Sequence, residues 1–181
     1  TVGGAPVQNI GAYGAEIKDT LENVEAYDIA SELKKVFTNK ECELGYRDSV
    51  FKNKLQNKFG QYFISAITLK LSKIPKPNLS YKILKDYLKE QEIEIKSSKD
   101  ISDAVVAIRR SKLPDPCVIN NAGSFFKNVF ISEDKLKDLL KKYPTMPYFK
   151  ERDKTKIPSG WLMEQCAWKG KRVGNVGVHA Q

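Results

Sequence analysis

Asn121-Ala122-Gly123-Ser124-Phe125-Phe126-Lys127-Asn128 brings a glycine, a hydroxyl, two aromatics, a cation and an amide into eight residues. Gly123 has no Cβ, so the chain there can turn tightly or approach a ligand closely. Ser124 can present its hydroxyl at such a turn as acid, nucleophile or hydrogen-bond partner. Phe125 and Phe126 alternate sides on an extended backbone, so one of them can shield a site. The competing reading is a loop entering a buried strand, with Ser124 tying off the backbone. A second constellation is Gly45-Tyr46-Arg47-Asp48-Ser49. Arg47 offers a planar fork for a carboxylate or phosphate, or it pairs internally with Asp48. A third is the N-terminal stretch, with Gly3, Gly4, Gly11 and Gly14 among its first 14 residues. Exposed amides in such a loop can cradle a phosphate or a flat ring, and the stretch reads equally well as an irregular connector.

The elements that must position these residues are legible in outline. Residues 22–29 read as a strand, with 35–37 as a short partner. Thr38 and Glu41 have the spacing of a capping box, which predicts a short helical turn ending near Gly45. Tyr62 to Leu71 is the clearest strand, with Phe63, Ile67, Leu69 and Leu71 on one face and Tyr62, Ile64 and Ala66 on the other. Its start is expected to be buried on both sides. Pro75 and Pro77 interrupt helix and sheet and mark a boundary. A helix is expected around 83–90, an edge strand at 93–95, and a helix capped by Ser97 or Ser98. In that helix Ile101, Ala104, Val105 and Ile108 form an apolar stripe. Arg109, Arg110 and Lys112 close it at the negative end of its dipole. Pro114 and Pro116 end it. A strand at 130–131, a helix capped by Ser132, an aromatic turn at 143–149, a charged exposed segment at 150–156 and a short helix from Ser159 follow. The last helix carries Trp161, Leu162 and Gln165, the last read most simply as a surface residue. Residues 173–178 read as a strand interrupted by glycines.

The bulk numbers describe a globular chain. It has 181 residues, 41% of them hydrophobic and 29% charged, with a net charge of +9. Such a charge favours anionic partners. The lysines are dispersed and form no dense basic run, so nucleic acid is not the expected partner. A small basic RNA-binding protein is the weakest reading. Cys42, Cys117 and Cys166 are far apart and the only histidine is His179. No metal site is expected, and free thiols in a reducing cytoplasm are. No membrane span is expected. The chain starts on Thr1 and closes on a glycine-punctuated apolar pattern, and a piece of a longer protein is expected.

Five segments in order resemble the UDP-N-acetylenolpyruvoylglucosamine reductase family of bacterial peptidoglycan precursor synthesis. They are residues 4–14 (Gly-Ala-Pro-Val-Gln-Asn-Ile-Gly-Ala-Tyr-Gly), residues 45–49, Lys112-Leu113-Pro114-Asp115-Pro116, residues 121–128, and Gly160-Trp161-Leu162. The resemblance implies an α+β architecture. Residues 1–74 would be the later part of an α/β FAD-binding domain of the vanillyl-alcohol-oxidase type, and 75–78 a linker. Residues 79–181 would be an α+β substrate-binding domain, incomplete at its C-terminal end.

It also implies chemistry. FAD, reduced by NADPH, passes hydride to UDP-N-acetylglucosamine enolpyruvate. The enolate-like intermediate then needs positive charge at its oxygens and a proton for its carbon. On this resemblance Arg47 stabilises the charge and Ser124 donates the proton. Tyr46, Tyr81, Lys112, Asn128 and Gln165 hold the UDP-sugar. Pro6, Gln8, Asn9, Ile10, Gly11, Ala12, Tyr13 and Arg109 lie against the flavin. A cytoplasmic monomer is implied, with neither nucleic acid nor membrane as partner. The family's catalytic glutamate has no counterpart within the chain, and Val129 replaces its usual proline. The alternative is a non-catalytic UDP-sugar-binding module.

Overall fold

The computed structural model describes residues 2–52, 61–151 and 154–180. The chain forms two compact units, residues 1–109 and 110–181. The proline-marked boundary at 75–78 therefore lies inside the first unit, in an irregular exposed stretch.

The first unit opens with one helical turn, α1 (Gly4–Val7), and a small hairpin, β1 (Gly11–Ala12) with β2 (Ala15–Glu16). The hairpin turns on Tyr13 (φ 52) and Gly14 (φ 84). Positive φ at both central residues is what the twist of a two-residue hairpin requires, and glycine meets it without a Cβ penalty. Asn78 donates from Nδ2 to the Gly14 carbonyl at 2.8 Å, which ties the end of the proline stretch to this hairpin.

An antiparallel sheet follows in the order β4-β3-β5, with β3 (Leu21–Asp28) between β4 (Leu33–Thr38) and β5 (Tyr62–Leu69). Val24, Ala26 and Asp28 point to the covered face and Tyr27 to solvent, the two-residue period of a half-buried strand. Lys35 beside Asp28 lowers that carboxyl to about 2. The faces expected for β5 need correcting. Ala26 pairs with Ile64 while Glu25 pairs with Ala66, so Ser65 is an extra residue, a β-bulge. The bulge switches the alternation. Ile64 and Ile67 both pack on Leu21, Val24 and Cys42, and Phe63 is 64% exposed rather than buried.

Two further expectations turn on local chemistry, and the second is corrected. The Thr38–Glu41 capping box forms, with Thr38 N and Oγ1 both donating to Glu41 Oε2 at 2.8 and 2.7 Å. Cys42 N donates to Thr38 O at 3.0 Å, the single helical turn expected, and Glu43 at φ 46 ends it before Gly45. The edge strand expected at 93–95 is absent. Helix α2 (Lys82–Glu90) ends with Glu92 at φ 50, and Ile93 N donates back to Leu88 O at 2.9 Å. This is a Schellman cap, and it carries Ile93 onto Leu88. Helix α3 (Ser98–Lys112) begins where Asp100 Oδ2 accepts from Ser97 N (2.7 Å) and Ser97 Oγ accepts from Lys99 N. The expected stripe is real: Ala104 and Ile108 are buried against Leu84 and Leu88, with Ile101 and Val105 partly covered.

The burial of Cys42 has a chemical consequence. Burial, followed by the nearby Glu41 carboxylate, raises its thiol to about 11, whereas Cys117 and Cys166 are exposed. The thiolate is the reactive form. Titration with a thiol reagent at neutral pH is expected to modify Cys117 and Cys166 quickly and Cys42 only on unfolding, read by peptide mass. Equal rates at all three would contradict this placement.

The second unit has an antiparallel sheet in the order β6-β8-β7, from β6 (Val129–Ile131), β7 (Phe149–Glu151) and β8 (Lys154–Ile157). In the segment expected to be charged and exposed, Lys150, Glu151 and Lys154 are exposed on β7 and β8 and Lys156 is half-buried, but Thr155 is fully buried in the sheet; Arg152 and Asp153 lie outside the described residues. Helix α4 (Glu133–Lys142) is capped by Ser132 as expected, and Leu136 packs with Met146 and Ile157. Helix α5 (Ser159–Gln165) follows, then β9 (Arg172–Val173) and β10 (Val176–Gly177). These last two pair with each other, so residues 173–178 contribute to a hairpin rather than one interrupted strand.

Candidate functional site

In the first unit the site is built from α1, the loop after it, and the tight turn Gly45–Asp48. That turn is closed by Gly45 N donating to Asp48 O (3.0 Å) and Asp48 N to Gly45 O (3.2 Å), with Arg47 at φ 51 near its apex. Arg47 does not spend its fork on Asp48. Its Nη2 donates to Gly11 O at 2.7 Å and its Nη1, more weakly, to Asn9 O at 3.4 Å. Asp48 Oδ1 instead accepts from Ser49 N. The Tyr46 ring lies 5.8 Å from the Arg47 guanidinium carbon, within cation–π range. A guanidinium has five N–H donors, so two carbonyls leave it capacity for an anionic oxygen.

Asn9 joins the same network. It is fully buried at φ 44, donates from Nδ2 to Gly45 O (2.8 Å) and accepts at Oδ1 from Lys18 N (3.1 Å). Asparagine is one of few residues that tolerate this backbone region. Ser49, 1% exposed, donates from Oγ to Val7 O at 2.6 Å. The glycine-rich segment and the arginine turn, distant in sequence, are therefore one hydrogen-bonded body. Within it Pro6 is also buried, while Gln8, Ile10 and Ala12 are exposed.

Tyr13, Tyr81 and Arg109 form a neighbouring group. The two tyrosine rings meet edge to face at 5.3 Å. Burial raises the Tyr13 hydroxyl, the charge of Arg109 opposes that rise, and Tyr81 adds to it. The aromatic body of Tyr13 packs on the α2/α3 core. The apolar spacing of the helices thus sets where this group stands.

In the second unit Ser124 lies in the irregular exposed stretch before β6, with Gly123 at φ 65. Phe125 and Phe126 are 81% and 54% exposed and touch edge to face at 5.1 Å; neither covers Ser124 by burial. Asn128 Oδ1 accepts from Ser159 N at 3.0 Å and from Ser159 Oγ at 3.3 Å. Ser159 Oγ also donates to Phe126 O at 2.9 Å. Asn128 therefore caps α5 and fixes the Ser124 loop to the helix that carries Gln165, which is exposed. Lys112 is the exposed last residue of α3.

The expected site residues are thus gathered into groups. Arg47, Tyr46, Asn9 and Gly11 form one, Tyr13, Tyr81 and Arg109 a second, and Ser124, Asn128 and the α5 start a third. Sequence reasoning missed Ser49 and Ser159. Ser49 lies in a motif already singled out, and a serine two residues after a turn apex was the available signal. Among the described residues no cluster of acidic, histidine or cysteine side chains is placed to hold a metal ion. No helix among them is long and apolar enough to cross a membrane.

Residues 115–181 match the family model described as the UDP-N-acetylenolpyruvoylglucosamine reductase C-terminal domain. The whole chain resembles curated proteins named UDP-N-acetylenolpyruvoylglucosamine reductase. That of Flavobacterium johnsoniae is 46% identical over 180 residues, covering 98% of this chain and 52% of the relative. That of Amoebophilus asiaticus is 46% identical over 180 residues, covering 99% of this chain and 52% of the relative. The crystal structure of the Thermus caldophilus UDP-N-acetylenolpyruvylglucosamine reductase aligns at a TM-score of 0.47 and 19% identity, over 99% of this chain and 49% of that one. The chain spans about half the length of the curated relatives it matches. By sequence, residues 115–181 match that family's C-terminal domain, and the chain as a whole is similar to about half the length of reductases bearing that name.

Proposed function

We propose that this chain is part of a reductase that uses NADPH and FAD to convert UDP-N-acetylglucosamine enolpyruvate to UDP-N-acetylmuramate, in peptidoglycan precursor synthesis. The balance is one NADPH and one proton consumed per double bond reduced. The observation that carries the reading is the Arg47 fork seated on the glycine-rich segment. It puts a fixed cation beside the residues assigned to the cofactor. The division proposed is a flavin-binding portion over 1–74, a linker at 75–78 and a substrate-binding portion over 79–181. The reductase is proposed to act in the cytoplasm as a monomer.

The donor set suits one edge of a flavin: an exposed hairpin, the aromatic Tyr13, and Arg109 as a cation near it. Pro6, Gln8, Asn9, Ile10, Gly11, Ala12, Tyr13 and Arg109 would hold it. When bound, a flavin supplies hydride transfer. The chain's own residues supply the rest. Arg47 stabilises charge developing on the substrate carboxylate, from a position already fixed by backbone carbonyls, so little reorganisation is needed. Ser124 holds the proton delivered to carbon, its hydroxyl at an exposed loop reachable by a substrate. Lys112 offers a point charge to the diphosphate, and Tyr46, Tyr81, Asn128 and Gln165 orient the nucleotide sugar.

The test is NADPH consumption by the purified reductase that contains this chain. Consumption is expected only when UDP-N-acetylglucosamine enolpyruvate is present, with a product heavier by two hydrogens. A colourless protein that binds the UDP-sugar without consuming NADPH would replace this reading with a non-catalytic binding module. Lys112→Ala is expected to weaken UDP-sugar affinity by roughly 10- to 100-fold, the scale of one charge-assisted bond, with kcat little changed. Calorimetric titration measures it, and unchanged affinity removes Lys112 from the site.

A further inference from the structure

The reaction needs Arg47 held still, and the structure shows what holds it. The turn that carries Arg47 is anchored on both sides. Asn9 Nδ2 grips Gly45 O at the start of the turn, and Ser49 Oγ grips Val7 O just after it. Both anchoring side chains are buried, at 0% and 1% exposure. Between them Arg47 reaches the Gly11 and Asn9 carbonyls. Asn9 belongs to the segment already assigned to the flavin, but Ser49 has no assigned task.

We propose that Ser49 is a positioning residue for Arg47. Its hydroxyl locks the arginine turn onto the last residue of α1, so that one rigid body carries both the glycine-rich segment and the guanidinium. Without that bond the turn keeps its own Gly45–Asp48 closure and the Val50 N to Cys42 O bond (2.8 Å) that follows it, but loses its tie to α1 on the C-terminal side. The guanidinium then samples positions away from the substrate carboxylate. Val7 O also loses its buried donor, which adds a stability cost that a test must separate from the catalytic one. The proposal rests on the reading of Arg47 given above, and the experiment distinguishes the two.

The variants are Ser49→Ala, Arg47→Lys and the double variant, made in the flavin-loaded reductase that contains this chain. Each half-reaction is followed by stopped-flow absorbance. Ser49→Ala is expected to slow flavin reoxidation by the enolpyruvyl substrate roughly 10- to 100-fold, the range for a displaced catalytic group. Flavin reduction by NADPH should stay within about twofold of the parent, the margin of independent sites. In the Arg47→Lys background, adding Ser49→Ala should cost less than about twofold more. Should Ser49→Ala fail to fold, Ser49→Cys keeps the volume with a weaker donor, and the same pattern is expected at smaller amplitude. Equal slowing of both half-reactions, or equal slowing by the Ser49 change in both backgrounds, overturns the positioning role and leaves Arg47's role standing. If Arg47→Lys itself reoxidises at the parent rate, the Arg47 reading falls and the positioning proposal falls with it.

Discussion

Ser124→Ala in the reductase that contains this chain is expected to slow flavin reoxidation by the enolpyruvyl substrate by roughly 10²- to 10⁴-fold, the contribution of a general acid. Reduction of the flavin by NADPH should be nearly untouched, because that step needs no proton at the substrate carbon. A serine hydroxyl is a weak acid in water, but a carbanion-like centre is a strong base and takes its proton on contact. The structure gives this substitution a low structural cost. Ser124 is exposed in an irregular stretch, and Asn128 and Ser159 hold the end of that stretch without it. Stopped-flow traces of each half-reaction provide the check. Equal slowing of both would remove the proton-donor assignment.

Arg47→Ala carries the second large expectation, a fall in kcat of roughly 10²- to 10³-fold, the cost of losing a preorganised group that stabilises developing charge. KM should change far less, because the stabilised charge develops only as hydride is added. Arg47→Lys should restore little. An ammonium cannot serve two carbonyls and a carboxylate together from one planar fork. Arg47→Ala also leaves Gly11 O and Asn9 O without their present donor, so it should lower thermal stability as well. Measuring kcat well below the melting temperature separates the two effects. A rise in KM with unchanged kcat would mean that Arg47 only binds substrate.

Elements with one strong periodicity were legible in the sequence. The α3 stripe, the Ser132 cap and the pairing of β3 with β4 all follow from local spacing. What escaped was set by single residues that change the count. The extra Ser65 moves Phe63 from core to solvent. Glu43 and Glu92 adopt left-handed conformations that nothing in their side chains announces. The apolar alternation at Ile93 and Ile95 covers a helix pair instead of a strand neighbour. At the site, Arg47 and the glycine-rich stretch were each visible as motifs. Their mutual contact was not, because it runs between backbone carbonyls and a side chain 36 residues apart. An internal pair with the adjacent Asp48 was one of the two pairings that the sequence left open for Arg47. Asp48 is occupied by Ser49 N instead, and Ser49 itself is the buried link that composition alone could not reveal.

The most direct measurement takes the purified reductase that contains this chain, reduces it anaerobically with NADPH, and mixes it with UDP-N-acetylglucosamine enolpyruvate. The account predicts that NADPH bleaches the flavin bands, that the substrate restores them, and that one UDP-N-acetylmuramate forms per flavin reoxidised. A protein without flavin bands, or bands that stay bleached when the substrate is added, would contradict it.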